Sequence, residues 1–275
     1  MTPIDRNRVL ITGGNGMIGR AIDAGMKPPR SELDVCDRDA VASWMERNRP
    51  SAIIHLASMD LHRSESDPRA AMETNVVGTY NVGLAARDAG IPLVFFSSGA
   101  VFGGERGTVH DEESAPRPVN VYGNTKWLAE TMLQALRGEM LIIRTGWVFG
   151  GSQAHHRKFV DIVIEKARSG EPITAACDRW GSPTFVRDVV AEMWRLLDGG
   201  QRGIVHVVNE GQATACDIAR EIIAQLHSGS ALHEVTQEEL APGGTPRAVS
   251  EILVSKHVHL RPWQEALREY VASRP

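Results

Sequence analysis

A chain of 275 residues, 42% hydrophobic and 23% charged, has the length and balance of a globular protein with a large core. Its formal net charge of −4 leaves no basic footprint, which argues against nucleic acid as a partner. The apolar run at 9–12 is too short for a secretory signal, and the run at 91–96 contains Pro92 and suits a strand, not a membrane span. No membrane partner and a cytoplasmic location are therefore expected. Cys36, Cys177 and Cys216 stand far apart with no C-x-x-C pairing, so three reduced thiols and no metal site are expected.

Short apolar runs alternate with helical patterns from the start. RVLIT at 8–12 reads as a strand, followed by a glycine loop and a helix at 17–24. A helix at 38–48 places Val41, Trp44 and Met45 on one face, and AIIHLA at 52–57 is the next strand. A long helix is expected over 68–89, stopping at Gly90, then a buried strand at 92–98. A helix at 121–137 stops at Gly138 and leads into the strand MLIIR at 140–144. Strands alternating with helices of this length imply right-handed crossovers and a parallel sheet covered on both faces.

After about residue 150 the rhythm changes. Helices are expected at 158–168, 187–197, 214–226 and 262–272, with a short apolar segment at 172–176, a loop at 178–184 and a strand at 203–208. The stretch 241–247, APGGTPR, is a loop. This predicts an α/β protein with a doubly wound parallel sheet of the Rossmann type in residues 1–150. Residues 151–275 form a smaller, mainly substrate-binding part, with a strand and helix near 185–208 returning to the sheet.

Three groups of residues carry chemistry. Gly13, Gly16 and Gly19 recur at every third position between strand and helix, in the loop that also holds Asn15, Met17 and Ile18. Glycine permits the tight turn, a close backbone approach to a pyrophosphate and close helix–sheet packing, so the loop predicts a dinucleotide site. Tyr122 and Lys126 lie four apart on one helix face, where a phenol and an ammonium flank one reacting carbonyl. The cation is expected to lower the phenol's pKa and to reach the cofactor ribose. Ser98 closes a buried strand at the sheet edge where ligands of such folds bind, and offers a hydroxyl to a developing alkoxide.

The residue that reads the adenosine ribose stays open. Glu32 stands at the nominal distance, but Arg20, Lys27, Arg30 and Ser31 equally suit a 2′-phosphate, and Pro28 and Pro29 shorten or displace the second strand. NADP is the favoured cofactor and NAD the alternative. Arg247 suits a substrate diphosphate, since a guanidinium grips phosphate with two donors. His155 and His156 read as solvated loop residues, His55 as a strand end facing groove or core, and Trp44, Trp127 and Trp194 as core.

The chain resembles the extended short-chain dehydrogenase/reductases, and within them the dTDP-4-dehydrorhamnose reductase branch, over nearly its whole length. The likeness lies in ITGGNGMIG at 11–19, ELDVCDRDAV at 32–41, RPSAIIHLAS at 49–58 and ESDPRAAMETNVVGTYNV at 65–82. It continues in FFSSGAVFGG at 95–104, PVNVYGNTKWLAE at 118–130, RTGWVFG at 144–150 and DRWGSPTFVRDV at 178–189. The resemblance implies Ser98, Tyr122 and Lys126 as the catalytic set, with Gly13, Gly16, Met17 and Ile18 at the pyrophosphate. It implies Asp34 and Val35 near the adenine, Ala57, Ser58 and Asn75 along the groove, and Thr145, Gly146 and Trp147 by the nicotinamide and the sugar. The family usually carries threonine, aspartate and tyrosine where this chain has Ser98, Gly99 and Ala100. The hydroxyl survives, and a void facing Trp147 is expected where the other two side chains are missing.

The implied reaction is NAD(P)H-dependent reduction of the keto group of a nucleotide sugar, a dTDP-4-keto-6-deoxyhexose, by a homodimer. Two alternatives stand beside it. One is an epimerase or dehydratase of the same fold, although dehydratases generally place an acidic pair where Gly99 and Ala100 stand. The other is a non-catalytic NADP-binding subunit like that regulating methionine adenosyltransferase, against which the intact Ser98, Tyr122 and Lys126 set argues.

Overall fold

Every residue of VLIT, AIIH, LVFF and MLIIR is buried, as parallel strands covered on both faces require. The computed structural model of the protein describes residues 4–151 and 158–274. Strand β1 (Val9–Thr12) leads through the glycine loop into α1 (Met17–Ala21), then α2 (Arg38–Asn48) and β2 (Ala52–His55). Next come α3 (Leu61–Ser66), α4 (Pro68–Ala71), a π-helical stretch Met72–Val77, α5 (Gly78–Ala89) and β3 (Leu93–Phe96). The short β4 (Val109–His110), α6 (Val121–Ala135), β5 (Met140–Arg144) and β6 (Val148–Phe149) follow. The remaining elements are α7 (Phe159–Ser169), β7 (Ile173–Ala176), β8 (Thr184–Phe185), α8 (Val186–Asp198), β9 (Gly203–His206), α9 (Ala215–Gln225), β10 (Leu232–Val235), α10 (Gln237–Leu240), β11 (Ile252–Leu253) and α11 (Trp263–Ala272).

The central sheet runs β1-β2-β3-β5-β9, all parallel, so the chain returns to it through β9 after an excursion of more than fifty residues. Alternate residues of each strand feed opposite cores. Leu10, Ile53, Leu93, Phe95 and Ile142 pack with Trp44, Val82, Ala129 and Leu133 of α2, α5 and α6. Val9, Ile11, Ile54, Val94 and Ile143 pack on the other face with Val163, Val189, Ile218 and Leu267 of α7, α8, α9 and α11. Those two faces make the doubly wound, Rossmann-type fold.

Beside β1, where a second strand was expected to be shortened or displaced, only one bridge remains, Leu10 to Met26. The helix expected over 68–89 contains the π stretch, because Asn75 is turned inward as a clasp. Its Oδ1 accepts from the Met59 N–H at 2.7 Å and the Ser58 hydroxyl at 3.1 Å, and its Nδ2 donates to Thr125 at 2.9 Å. Trp44 and Trp194 are core residues, whereas Trp127 is 38% exposed on α6 and corrects the core assignment. His55 is fully buried, hydrogen-bonded to Thr12 at 2.6 Å and Thr79 at 3.0 Å. Loss of water, helped by the Lys126 charge, pulls its pKa to about 3, so it is a neutral structural ring. The expectation of three free thiols also fails. The end of β7 meets the start of α9, which brings Cys177 and Cys216 to a Cα separation of 5.2 Å and joins them in a disulfide, leaving Cys36 free. No described helix is long and apolar enough to cross a membrane.

Candidate active site

Three compartments join end to end along the carboxyl ends of the strands. The first, about 330 Å³, lies between the glycine loop and the 28–35 segment, and the second, about 320 Å³, shares Gly13, Gly16 and Ser58 with it. The third, about 570 Å³, meets the second at Trp147, Val148 and Lys158.

The glycine loop is built as its sequence requires. Gly13 has φ +68, and a Cβ there would lie 2.6 Å from the Ala57 backbone nitrogen. A Cβ on Gly19 would lie 2.6 Å from the Gly14 Cα, so the helix turn lies directly on the loop. Gly13, Asn15, Gly16, Asp34, Val35, Ala57 and Ser58 line the first compartment, and Met17, Ile18 and Gly19 line the second. Asn75 lines neither, because its polar atoms are spent in the clasp and it is 1% exposed; this corrects its placement in the groove.

Of the candidate ribose readers, Glu32 accepts from the Trp44 indole at 3.0 Å, Arg20 donates to the Asn15 carbonyl, and Lys27 to the Ile22 carbonyl. Arg30 alone of that group lines the first compartment, near Asp34, with which it pairs at 3.1 Å. Arg63 joins it there, an exposed cation just beyond β2 that sequence reasoning passed over.

The second compartment brings Ser98, Tyr122 and Lys126 together. Asn120 caps α6 by accepting from the Gly123 N–H at 2.7 Å, which fixes the turn carrying Tyr122. Gly123 lies so close to the Ala100 carbonyl that any side chain would collide with it. The helix thus docks on the 3₁₀ turn Gly99–Val101, and Tyr122 meets Ser98. Ser98 Oγ accepts from the Ala100 N–H at 3.1 Å, leaving its own proton to the cleft. Gly99 and Ala100 are buried, and a Cβ on Gly99 would lie 3.5 Å from the Glu251 carbonyl oxygen and the Leu253 side chain. Hence no void opens there: the small residues admit α6 and the 251–253 segment, which corrects the expectation of empty space facing Trp147.

Burial pushes the Tyr122 phenol up to about 12; the Ser98 hydroxyl pulls it down, while Glu251 and Asp60 push it further up. Lys126 is buried and lines the same compartment. Its Nζ sits 4.3 Å from the centre of the Phe95 ring, and burial pulls its pKa to about 7 against the opposing pull of Glu130. Thr145 lines the same compartment with its Oγ1 buried and without a hydrogen-bond partner.

The third compartment is walled by Trp147, Phe159 and Leu240 and carries Lys158, Arg179, Arg247 and His62. Trp147 is half-buried, lies against Gly181 and holds φ +40. Arg247 is exposed and lies 3.4 Å from His62. Arg179 and Lys158 were missed from sequence, although Arg179 stands inside the DRWGSPT motif. His155 and His156 lie outside the described residues.

The surfaces suit a dinucleotide: the loop glycines leave room for a close backbone approach, and the orphaned Thr145 hydroxyl in the second compartment is a polar group left for a ligand. The chain is 30% identical over 282 residues to a dTDP-4-dehydrorhamnose reductase of Mycolicibacterium smegmatis, covering 97% of this chain and 85% of that one. A dTDP-4-keto-6-deoxy-D-glucose reductase of Streptomyces niveus is 31% identical, with 78% and 77% covered. Among solved structures, a dTDP-4-dehydrorhamnose reductase of Bacillus anthracis in complex with NADP superposes with a TM-score of 0.90 at 26% identity, covering 98% of this chain and 100% of that one. A UDP-glucose 4-epimerase of Thermus thermophilus, at 23% identity and a TM-score of 0.75, shares the fold. The family model described as the RmlD substrate binding domain matches residues 7–274, and the chain belongs to that family.

Proposed function

We propose that the chain is an NADPH-dependent reductase of the keto group of a nucleotide-activated sugar, a dTDP-4-keto-6-deoxyhexose. The observation that carries this is the meeting of Ser98, Tyr122 and Lys126 in one compartment, between a glycine-loop groove and a cation-lined cleft. The relatives named for this reaction support the substrate class.

A bound nicotinamide supplies the hydride. Tyr122, kept as a phenol, gives its proton to the carbonyl oxygen as that oxygen becomes an alkoxide. Ser98 directs its hydroxyl proton at the same oxygen. Lys126, on the same helix face, holds the ribose and the phenol in register. Gly13, Asn15, Gly16, Met17, Ile18 and Gly19 hold the pyrophosphate, Asp34 and Val35 flank the adenine, and Ala57 and Ser58 line the path between. Arg30 and Arg63 take the 2′-phosphate, and the Thr145 hydroxyl takes the carboxamide. Arg247, with Arg179 and Lys158, takes the sugar nucleotide's diphosphate while Trp147 covers the sugar.

Residues 1–150 then serve the cofactor, and 151–275, apart from the segment returning to the sheet, serve the substrate. A cytoplasmic homodimer accords with this reading; the exposed apolar run Trp127, Leu128 and Met132 on α6 supports the pairing. The test is to incubate the pure protein with NADPH and a panel of 4-keto sugar nucleotides and to follow loss of NADPH absorbance. Tyr122→Phe should lower turnover on the order of 10²–10⁴-fold with NADPH affinity unchanged. Reduction at the wild-type rate by that variant would assign the proton to another group.

A further inference from the structure

Cys177 follows directly on β7, and the loop it opens forms one wall of the third compartment. Cys177 N–H donates to the Val235 carbonyl at 2.9 Å, Asp178 Oδ1 accepts from the Gln237 N–H at 2.8 Å, and Trp180 N–H donates to the Val249 carbonyl at 2.9 Å. Opposite this loop, α9 starts from a capping box in which Thr214 and Asp217 hold each other's backbone N–H. The Cys177–Cys216 disulfide joins the loop to the helix. Ala176 and Ala215, each one residue before a cysteine, line the compartment, and so do Arg179 and Ile218, each two residues after one. The bond therefore braces the wall that a substrate meets.

Arg179 is the charged group on that wall. Its guanidinium is half-buried, its Nε is shielded from water without a hydrogen-bond partner, and it enters no ion pair among the described residues. A cation taken partly out of water and left unpaired is costly, so the site is built for an anion. The planar fork of a guanidinium meets phosphate oxygens with two donors at once. Lys158 and Arg247, the other lysine and arginine lining the compartment, are exposed.

We propose that Arg179 is the principal phosphate ligand of the substrate compartment, and that the Cys177–Cys216 disulfide is a redox-sensitive strut that positions it. The identity of the ligand, a nucleoside diphosphate, rests on the reductase reading above. A dithiol reductant attacks the half-buried Cys177 sulfur and releases the buried Cys216 sulfur, which takes a proton. The reductant's second thiol then displaces Cys177, which takes a proton in turn. The protein disulfide has gained two electrons and two protons, and the reductant leaves as its own disulfide. Two free thiols cannot stay at bonding distance, so the Arg179 loop and the start of α9 move apart. The backbone hydrogen bonds of Cys177 and Trp180 keep the loop ordered, and the change is a displacement. A shift of about 1 Å is enough to spoil a two-donor contact. Ala176, Arg179, Ala215 and Ile218 line neither the first nor the second compartment, so the cofactor's surfaces stay as they are.

The test is calorimetric titration of the full chain with NADPH bound, using dTDP and, separately, inorganic diphosphate as probes. Oxidised protein is compared with protein reduced by dithiothreitol, at a temperature where both forms stay folded. Reduction should weaken both probes about tenfold, reversibly on reoxidation, while NADPH affinity changes by no more than about twofold. In the oxidised state R179Q should weaken both probes by about 10–100-fold, and reduction should then add little, because the two changes act on one contact. The C177S/C216S double variant should bind like reduced wild type and ignore dithiothreitol. Probe affinities that reduction leaves unchanged would overturn the proposal, as would an equal effect of reduction in wild type and R179Q. A parallel loss of NADPH affinity would also overturn it, since the bond would then support the whole fold. If the double variant fails to fold, reversible reduction of wild type and R179Q still decides. Should the protein reduce none of the ketones yet hold inorganic diphosphate in a manner that depends on Arg179 and the disulfide, the reductase reading fails alone. If neither probe binds the oxidised protein, the phosphate role of Arg179 is refuted.

Discussion

Glu130 holds Arg144 through both carboxylate oxygens, at 2.9 and 2.7 Å, with neither side chain more than 3% exposed. The same carboxylate accepts from Ser97 at the end of β3 and lies one helical turn beyond Lys126. One buried acid therefore ties α6 to the ends of two strands that frame the active compartment. Removing it strands a guanidinium in the core, so Glu130→Ala should cost about 3–5 kcal/mol in urea denaturation. Replacing Glu130 and Arg144 together by methionine should cost less than the single change, because the Arg144 guanidinium is no longer left buried without its carboxylate. A double variant less stable than E130A would contradict this account.

Lys126 makes the stability depend on pH. Burial pulls its folded pKa to about 7, against the opposing influence of Glu130, while an unfolded lysine titrates near about 10.4. Between those values the unfolded chain binds the extra proton, so stability from this group rises with pH, by up to about 1.4 kcal/mol per unit. Below about pH 7 both states are protonated, and the contribution is flat at its least favourable value. The stability advantage of Lys126→Met over wild type should therefore shrink as pH rises from about 7 to about 10. A constant difference across that window would mean that the folded protein keeps Lys126 charged.

What the sequence disclosed was local. A glycine loop after a strand, a hydroxyl at a strand end and two residues four apart on a helix have meanings that depend on near neighbours, and all three meet in one groove. What it concealed was set by distant packing. Asn75 sits in a motif that runs along the groove, but its side chain was claimed by Met59, Ser58 and Thr125. Glu32 stands at the right distance for a ribose but was claimed by Trp44. Gly99 and Ala100 looked like missing bulk because the segment that fills their space lies about 150 residues further along.

The cysteines give a direct chemical count. Thiol titration of the denatured, unreduced chain should find one reactive group, Cys36, and three after reduction. The Cys177–Cys216 link spans a sequence separation of 39, for which loop closure contributes about 4 kcal/mol in the chain-entropy account. Reduction should accordingly lower the melting temperature, and C177S should match the reduced wild type. Three reactive thiols in the freshly isolated, unreduced protein would remove the disulfide from the description.

Arg63 should decide between the two nicotinamide dinucleotides. The first compartment is bounded by Arg30 and Arg63, and the acid that sequence spacing offered to the ribose hydroxyl is held by Trp44 instead. Arg30 already faces Asp34, whereas the Arg63 guanidinium has no ion pair or side-chain hydrogen bond among the described residues. A 2′-phosphate placed between them gains a charge-assisted contact that a free ribose hydroxyl does not offer. Such a contact contributes about 1.5–3 kcal/mol, so Arg63→Ala should weaken NADPH binding on the order of 10–100-fold. NADH binding should change by no more than about twofold, since no phosphate is there to lose its partner. Arg30→Ala should also weaken NADPH binding, through loss of its own donor and through the carboxylate of Asp34 left facing the phosphate. Titrations of both cofactors against the purified variants, followed by cofactor fluorescence at two salt concentrations, separate these contributions. Salt should weaken NADPH binding to wild type and weaken it less in the Arg63 variant. If Arg63→Ala lowers affinity for NADH and NADPH equally, the residue supports the fold of the groove and does not read the phosphate.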